Sequence, residues 1–197
     1  MRTVTVIEFL SLDGVMQGLG SPDEDRDGGF EHGGWGAYYA EGVQETMAAS
    51  GGPTETTVYL FGRRTYESLA AFWPNQPDQN RMAAHLNATT KHVVTSTLRT
   101  LEWSNSHVLG GEFKPAVQRL KATGEGTIAV LGSGMLVKEL IGQDLVDELR
   151  LFVHPILLGT GKRLFGEISH PQRFALAEHT STRQGTLVLR YLLEAEL

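Results

Sequence analysis

The sequence predicts a single α/β domain in which a mostly parallel central sheet is flanked by helices and closed by a C-terminal antiparallel hairpin. Three observations predict it. Short apolar and β-branched runs alternate with helix-permissive segments through most of the chain, the pattern of a parallel sheet covered on both faces. Several of the strand-like runs end at a glycine and pass directly into a helical pattern. The last two apolar runs flank Gln184-Gly185, where glycine tolerates the positive φ of a tight turn. With 197 residues, 41% of them hydrophobic, the chain suffices for one core and is short for two.

Taken in order, Thr3 to Leu10 is β-branched and apolar and stops at Ser11-Leu12-Asp13-Gly14, a strand followed by a turn. Gln17 to Trp35 is rich in Gly, Asp, Glu and Pro and reads as a long surface loop, a length often used for lids or binding loops. Ala37 to Ala49 places Tyr39, Val43 and Met47 on one helical face before Ser50-Gly51-Gly52-Pro53-Thr54-Glu55 breaks it. Thr57 to Phe61 is a second strand, Thr65 to Phe72 a helix, and Trp73 to Pro77 a stop. Met82 to Leu86 is a short helix, and Lys91 to Thr95 and Ser106 to Leu109 are strands. A helix over Glu112 to Thr123, a strand over Ile128 to Leu131 and a helix over Met135 to Ile141 follow, then a strand over Glu148 to Val153. Arg173 to Arg183 and Thr186 to Leu193 form the final hairpin.

Composition removes several function classes. Seventeen Lys and Arg against 23 Asp and Glu give a formal charge of -6, which repels a phosphate backbone, so no nucleic-acid partner is expected. Zero cysteines exclude disulfides and Cys-ligated metal, and fit a cytoplasmic protein. The first strand, broken by Glu8 and Asp13, does not read as a signal peptide. No apolar run approaches the roughly 18 residues that span a bilayer, so no membrane association is expected. Seven scattered histidines without a His-Glu-x-x-His pair predict no metal site. Neither a Gly-x-Ser-x-Gly elbow nor a phosphate loop ending in Gly-Lys-[Ser/Thr] occurs.

The segment Val58 to Ser68, VYLFGRRTYES, carries the most chemistry. A strand runs into Gly62, then Arg63 and Arg64, then Thr65 as the expected helix N-cap; unpaired amides, a positive dipole end and two guanidiniums together suit a phosphate. Taken alone, the segment is more simply a capped helix with two solvated arginines. Val130-Leu131-Gly132-Ser133-Gly134-Met135 repeats the strand, glycine turn and helix. It is shorter than the dinucleotide fingerprint Gly-x-Gly-x-x-Gly and is not a Rossmann motif.

Gly62-Arg63-Arg64-Thr65-Tyr66-Glu67-Ser68 resembles the G-R-x-T-[WY]-E-S segment of dihydrofolate reductases, and Val93-Val94-Thr95-Ser96 and Gly132-Ser133-Gly134 follow in that family's order. His154 to Phe165, HPILLGTGKRLF, is similar to the P-x-x-L-G-x-G-x-x-L-F signature of the reductase domain of riboflavin-biosynthesis deaminase–reductases and its stand-alone relatives. The resemblance implies a three-layer dihydrofolate-reductase-like fold and an NADPH cofactor. Gly62, Arg63, Arg64, Thr65, Thr95, Ser96, Gly132, Ser133, Gly134 and Met135 would bind it. By the same resemblance Arg63 faces the 2′-phosphate, Thr65 the pyrophosphate, Thr95 and Ser96 the adenosine ribose and its phosphate, and Gly132 to Met135 the pyrophosphate and nicotinamide ribose. Thr97 receives no role.

On the substrate side the resemblance implies Asp13, which an ordinary Asx-turn explains equally well. Trp35 and Tyr38 are candidate pocket walls, or core. Glu41, with Glu45, stands roughly where dihydrofolate reductases carry a pterin-binding carboxylate, although a surface glutamate is the simpler reading. No general acid stands out; water and Asp13 are the candidates. The expected reaction is hydride transfer from NADPH to a small-molecule substrate, pterin-like or 5-amino-6-ribosylaminouracil-like, with positioning as the protein's main contribution. The alternatives are a non-catalytic NADPH-binding or regulatory protein and an interaction domain on the same fold. Leu149 to Val153 reads as a buried strand or as part of a dimer face, and the resemblance favours a homodimer.

Overall fold

The computed structural model describes residues 1–49, 56–77 and 79–194; the expected helix break at Ser50 to Glu55 lies outside them. The strands are β1 (Thr3–Ser11), β2 (Thr56–Gly62), β3 (Thr90–Val94), β4 (Ser106–Val108), β5 (Thr127–Leu131), β6 (Glu148–His154), β7 (Phe174–Ser181) and β8 (Leu187–Leu193). The α-helices are α1 (Ala40–Ala49), α2 (Arg63–Phe72), α3 (Arg81–Ala88), α4 (Phe113–Ala122) and α5 (Gly134–Gly142). One sheet runs β4-β3-β2-β5-β1-β6-β8-β7. The chain divides into two compact units, Met1–Thr5 with Pro53–Val146 and Val6–Gly52 with Asp147–Leu197, and β1 passes from the first into the second.

In the first unit β2 pairs in parallel with β3 on one side and β5 on the other, and β4 adds to β3. Parallel neighbours need crossovers: α2 and α3 lie between β2 and β3 along the chain and α4 between β4 and β5, while a loop without a helix joins β3 to β4. Val58, Tyr59, Leu60 and Phe61 are all buried, as a strand covered on both faces requires. One charge interrupts this core. Lys91 on β3 is fully buried, but its ammonium donates to the Leu86 and Thr89 carbonyls at 2.6 and 2.7 Å and stands 4.6 Å from the Trp103 ring centre. Those partners offset its desolvation and fasten the end of α3 to β3.

The second unit ends in the expected hairpin, but β8 inserts between β6 and β7 and is antiparallel to both. Its turn spans Thr182 to Thr186, longer than the Gln184-Gly185 pair alone, with Gly185 at φ 83° and Thr182 and Thr186 joined by a 2.9 Å backbone hydrogen bond. Cross-strand pairing puts Arg150 opposite Arg190. Glu148 relieves that like-charge pair by bonding both guanidiniums, and Glu178 takes Arg190 at 2.8 Å. Leu176 and Leu187 lie exposed on the face of the hairpin that also carries Tyr191. Among the described residues no helix is long and apolar enough to cross a membrane.

Candidate functional site

Three strand ends of the first unit build a groove. At the end of β2 the chain enters α2 at Arg63, with Gly62 as the extended N-cap, so Thr65 is the third helical residue and not the cap expected from sequence. The physical reason is remote. The Gly62 amide donates to the Ser133 hydroxyl at 3.0 Å, 71 residues away, which turns the chain before Thr65 is reached. No side chain caps α2, so the first-turn amides keep their donor capacity.

The turn after β5 has the same character. Gly132 has φ 67° and Ser133 φ 68°, two consecutive left-handed residues leading into α5, again without a side-chain cap. Glycine adopts this conformation freely, whereas serine there costs about 1 kcal/mol. The space at Gly132 is also tight: a Cβ would stand 3.3 Å from the Thr65 methyl. Met135, the second residue of α5, is 82% exposed.

Beyond β3, the Thr95 hydroxyl accepts from the Thr97 and Leu98 amides at 3.2 and 3.1 Å and shapes the turn. A cleft of about 550 Å³ there is lined by Arg63, Thr95, Ser96 and Thr97 with Leu109, Gly111 and Phe113. A neighbouring cleft of about 410 Å³ is lined by Gly62, Arg63, Met135, Leu136 and Glu139, and Arg63, Val94 and Phe113 belong to both. The structure thus brings Gly62, Arg63, Thr95, Ser96 and Met135 to one groove, with Thr65, Gly132, Ser133 and Gly134 forming the turns behind it. Arg64 is exposed on the first turn of α2 and lines neither cleft. Thr97, Leu109, Gly111 and Phe113 were missed. The signal for the last three was present, because Leu109-Gly110-Gly111 before α4 is a third strand, glycine turn and helix.

Electrostatically the groove is marked by the Arg63 guanidinium. Arg63 Nη1 donates to Glu67 Oε2 at 2.8 Å, one helical turn on, with the two side chains 40% and 44% exposed. Among the described residues no cluster of three or more His, Cys, Asp or Glu is arranged to hold a metal ion.

The sequence-derived substrate residues lie in the second unit. Asp13 follows β1 and accepts from the Ser11 hydroxyl at 2.6 Å and from the Leu158 and Gly159 amides at 3.1 and 2.9 Å; Arg163 stands 3.4 Å away. These donors, the Ser11 hydroxyl foremost, hold its carboxyl down at about 2, so it is ionised at neutral pH and clamps the 158–163 loop. The long loop is pinned beside it. Gln17 is buried, donates to Asp25 and Asp27 and accepts from the Lys162 amide, while the Lys162 ammonium bridges the Asp25 and Asp27 carboxylates at 2.6 and 2.8 Å.

Trp35 closes that loop by donating to the Gln17 carbonyl at 2.8 Å. Its ring meets His154 edge-on at 5.4 Å, and Tyr39 and Phe9 pack on the same imidazole at 4.7 and 6.2 Å. His154, one of the scattered histidines and the first residue of the HPILLGTGKRLF segment, is the hub. Its Nδ1 is 2.8 Å from the Thr186 hydroxyl, its Nε2 has no hydrogen-bond partner among the described residues, and burial pushes the imidazole down to about 4, keeping it neutral. Tyr38 stacks edge-on against Tyr39 and is 73% exposed. Glu41 is an exposed helix residue paired with Arg183 at 3.1 Å. Glu8, on the alternate face of β1 from Phe9, is buried and pushed up to about 8 by desolvation.

Comparison with known proteins gives the family and the fold. Residues 2–188 match the family described as the RibD C-terminal domain. The chain is 23% identical over 135 residues to the protein YyaP of Bacillus subtilis (strain 168), covering 67% of this chain and 71% of that one. A putative riboflavin biosynthesis protein from Shewanella sp. PV-4 superposes with a TM-score of 0.68 at 18% identity, over 98% of this chain and 100% of that one. Dihydrofolate reductase from Enterococcus faecalis, solved with NADP(H), superposes with a TM-score of 0.55 at 15% identity, over 98% and 97%. The fold is that of the dihydrofolate-reductase-like proteins.

Proposed function

Because the chain belongs to the RibD C-terminal domain family, we propose that it is an NADPH-dependent reductase of a small heterocyclic or carbonyl or imine compound, pterin-like or 5-amino-6-ribosylaminouracil-like. The observation that carries the reading is the groove in which the Arg63 guanidinium and the Thr95, Ser96 and Thr97 side chains share one wall system with two helix starts free of side-chain caps. A dianionic phosphate fits a planar guanidinium flanked by hydroxyls, and a pyrophosphate fits uncapped amides beside glycine turns. Arg63 with Thr95 and Ser96 would hold the 2′-phosphate end; Gly62, Thr65 and Gly132 to Met135 would hold the rest. Arg64 adds charge at the same helix start.

When bound, the cofactor supplies the hydride. The chain's own residues bind it, keep the turns rigid and orient it, which is where most of the rate is gained. Trp35, Tyr38, Asp13 and Glu41 remain the substrate-side candidates. Asp13 acts in this reading as a fixed anion and loop clamp, and the proton reaches the product from water. The absence of cysteine accords with a cytoplasmic setting.

One observation favours the alternative of a non-catalytic NADPH-binding protein: the Asp13 carboxylate is already engaged by four donor residues. Titration with NADPH and NADH by nicotinamide fluorescence, for the native chain and Arg63→Ala, tests the cofactor assignment. At least about tenfold tighter NADPH binding, lost in the variant, supports it; binding of neither dinucleotide refutes it. NADPH oxidation with a panel of pterins, aminouracil ribosides and small carbonyl compounds then separates an enzyme from a binding protein.

A further inference from the structure

The cation that the proposed function relies on is not unopposed. Glu67 sits one turn along α2 and accepts from Arg63 through a single nitrogen, Nη1. The other edge of the guanidinium, Nε and Nη2, has no partner among the described residues. That edge is the fork suited to two oxygens of one phosphate. A phosphate seated on it would stand on the order of 6 Å from the Glu67 carboxylate, the span of a guanidinium with one hydrogen bond on either side.

We propose that Glu67 tunes cofactor affinity and specificity: it steadies Arg63 with one edge open, and its charge weakens the hold on the 2′-phosphate below what the arginine alone would give. This rests on the NADPH reading. Two effects of opposite sign compete, and their sizes decide between them. An exposed i,i+4 ion pair steadies its partners by about a factor of two. Repulsion between a carboxylate and a dianionic phosphate at roughly 6 Å in water amounts to about tenfold in affinity without salt and about threefold at physiological ionic strength. Repulsion wins. Glutamine at the position keeps the length and an amide oxygen that can still accept from Nη1, so Glu67→Gln removes the charge with little loss of the steadying bond.

The experiment is a fluorescence titration of NADPH and NADH against the native chain, Glu67→Gln and Glu67→Asp at three salt concentrations. At physiological salt Glu67→Gln should bind NADPH about threefold more tightly with NADH unchanged, the gain rising at low salt and fading at high salt. Glu67→Asp, which retains the charge, should stay close to the native chain. A purely structural role for Glu67 would move both dinucleotides together and would not follow salt. If the native chain prefers NADPH and Glu67→Gln binds it no better, the proposal for Glu67 fails while the cofactor reading stands. If the native chain binds neither dinucleotide, both fail.

Discussion

Replacing Asp13 with asparagine isolates what the clamp at the end of β1 contributes. Its carboxyl is held at about 2 against an ordinary value of 3.8. At 1.36 kcal/mol per unit this is an upper bound near 2.4 kcal/mol, and with the side chain 19% exposed, solvent screening lowers the expectation to about 1–2 kcal/mol. The geometry gives the same sign. One carboxylate oxygen accepts from the Leu158 amide and the other from the Gly159 amide, so an Asn side chain would set its NH2 against one of these donors. Thermal melts at pH 7 should show Tm lower by about 2–8 °C in Asp13→Asn, the range expected for a chain of this size. Because the folded-state value is depressed, the contribution is present above the ordinary value and disappears as pH falls toward 2. The difference between the two proteins should therefore be flat from pH 5 to 8 and close below about 4. Equal Tm values at pH 7, or a gap that widens in acid, would refute the reasoning, and NADPH affinity should be unchanged throughout.

Gly132→Ala combines a left-handed backbone with a crowded Thr65 methyl and should cost about 1–2 kcal/mol in denaturant unfolding while weakening NADPH; an unaltered midpoint would show that the turn relaxes freely. His154 resists protonation inside its aromatic surroundings, so the unfolded chain takes up a proton first as pH falls from 6.5 toward 4. His154→Phe should accordingly lose about 1–2 kcal/mol less than the native chain on going from pH 7 to 5, and equal losses in urea unfolding would sink this account. The homodimer that the sequence resemblance favours is testable on the hairpin, where Leu176 and Leu187 are exposed on one face. Light scattering should find a dimer that Leu176→Lys converts to monomer, and a native monomer at micromolar concentration would exclude it.

The alternation of strands and helices was legible because it is local: the apolar runs at Val58 to Phe61 and Ile128 to Leu131 announce buried strands by composition alone. What escaped was set by partners far along the chain. Thr65 has the side chain of a helix cap, yet the helix begins two residues earlier because Ser133 receives the Gly62 amide. Asp13 looked like an ordinary Asp-Gly turn residue, and its clamp of Leu158 and Gly159 spans 145 and 146 positions. The insertion of β8 between β6 and β7 likewise follows from strand pairing, which the residues of the hairpin do not encode one by one. Glu8 was visible as a charge in an apolar strand, but only burial reveals that it carries a proton at neutral pH. His154 opens the HPILLGTGKRLF segment, but its place as a hub depends on three rings contributed from elsewhere in the chain.

The Gly62 to Ser133 hydrogen bond makes two distant turns into one mechanical part. In the cofactor reading proposed above, a pyrophosphate reaching both turns would meet two helix starts that are joined by this bond and not held by separate parts of the chain. A serine held in a left-handed conformation, at a local cost, is in these terms the pin that ties one helix start to the other.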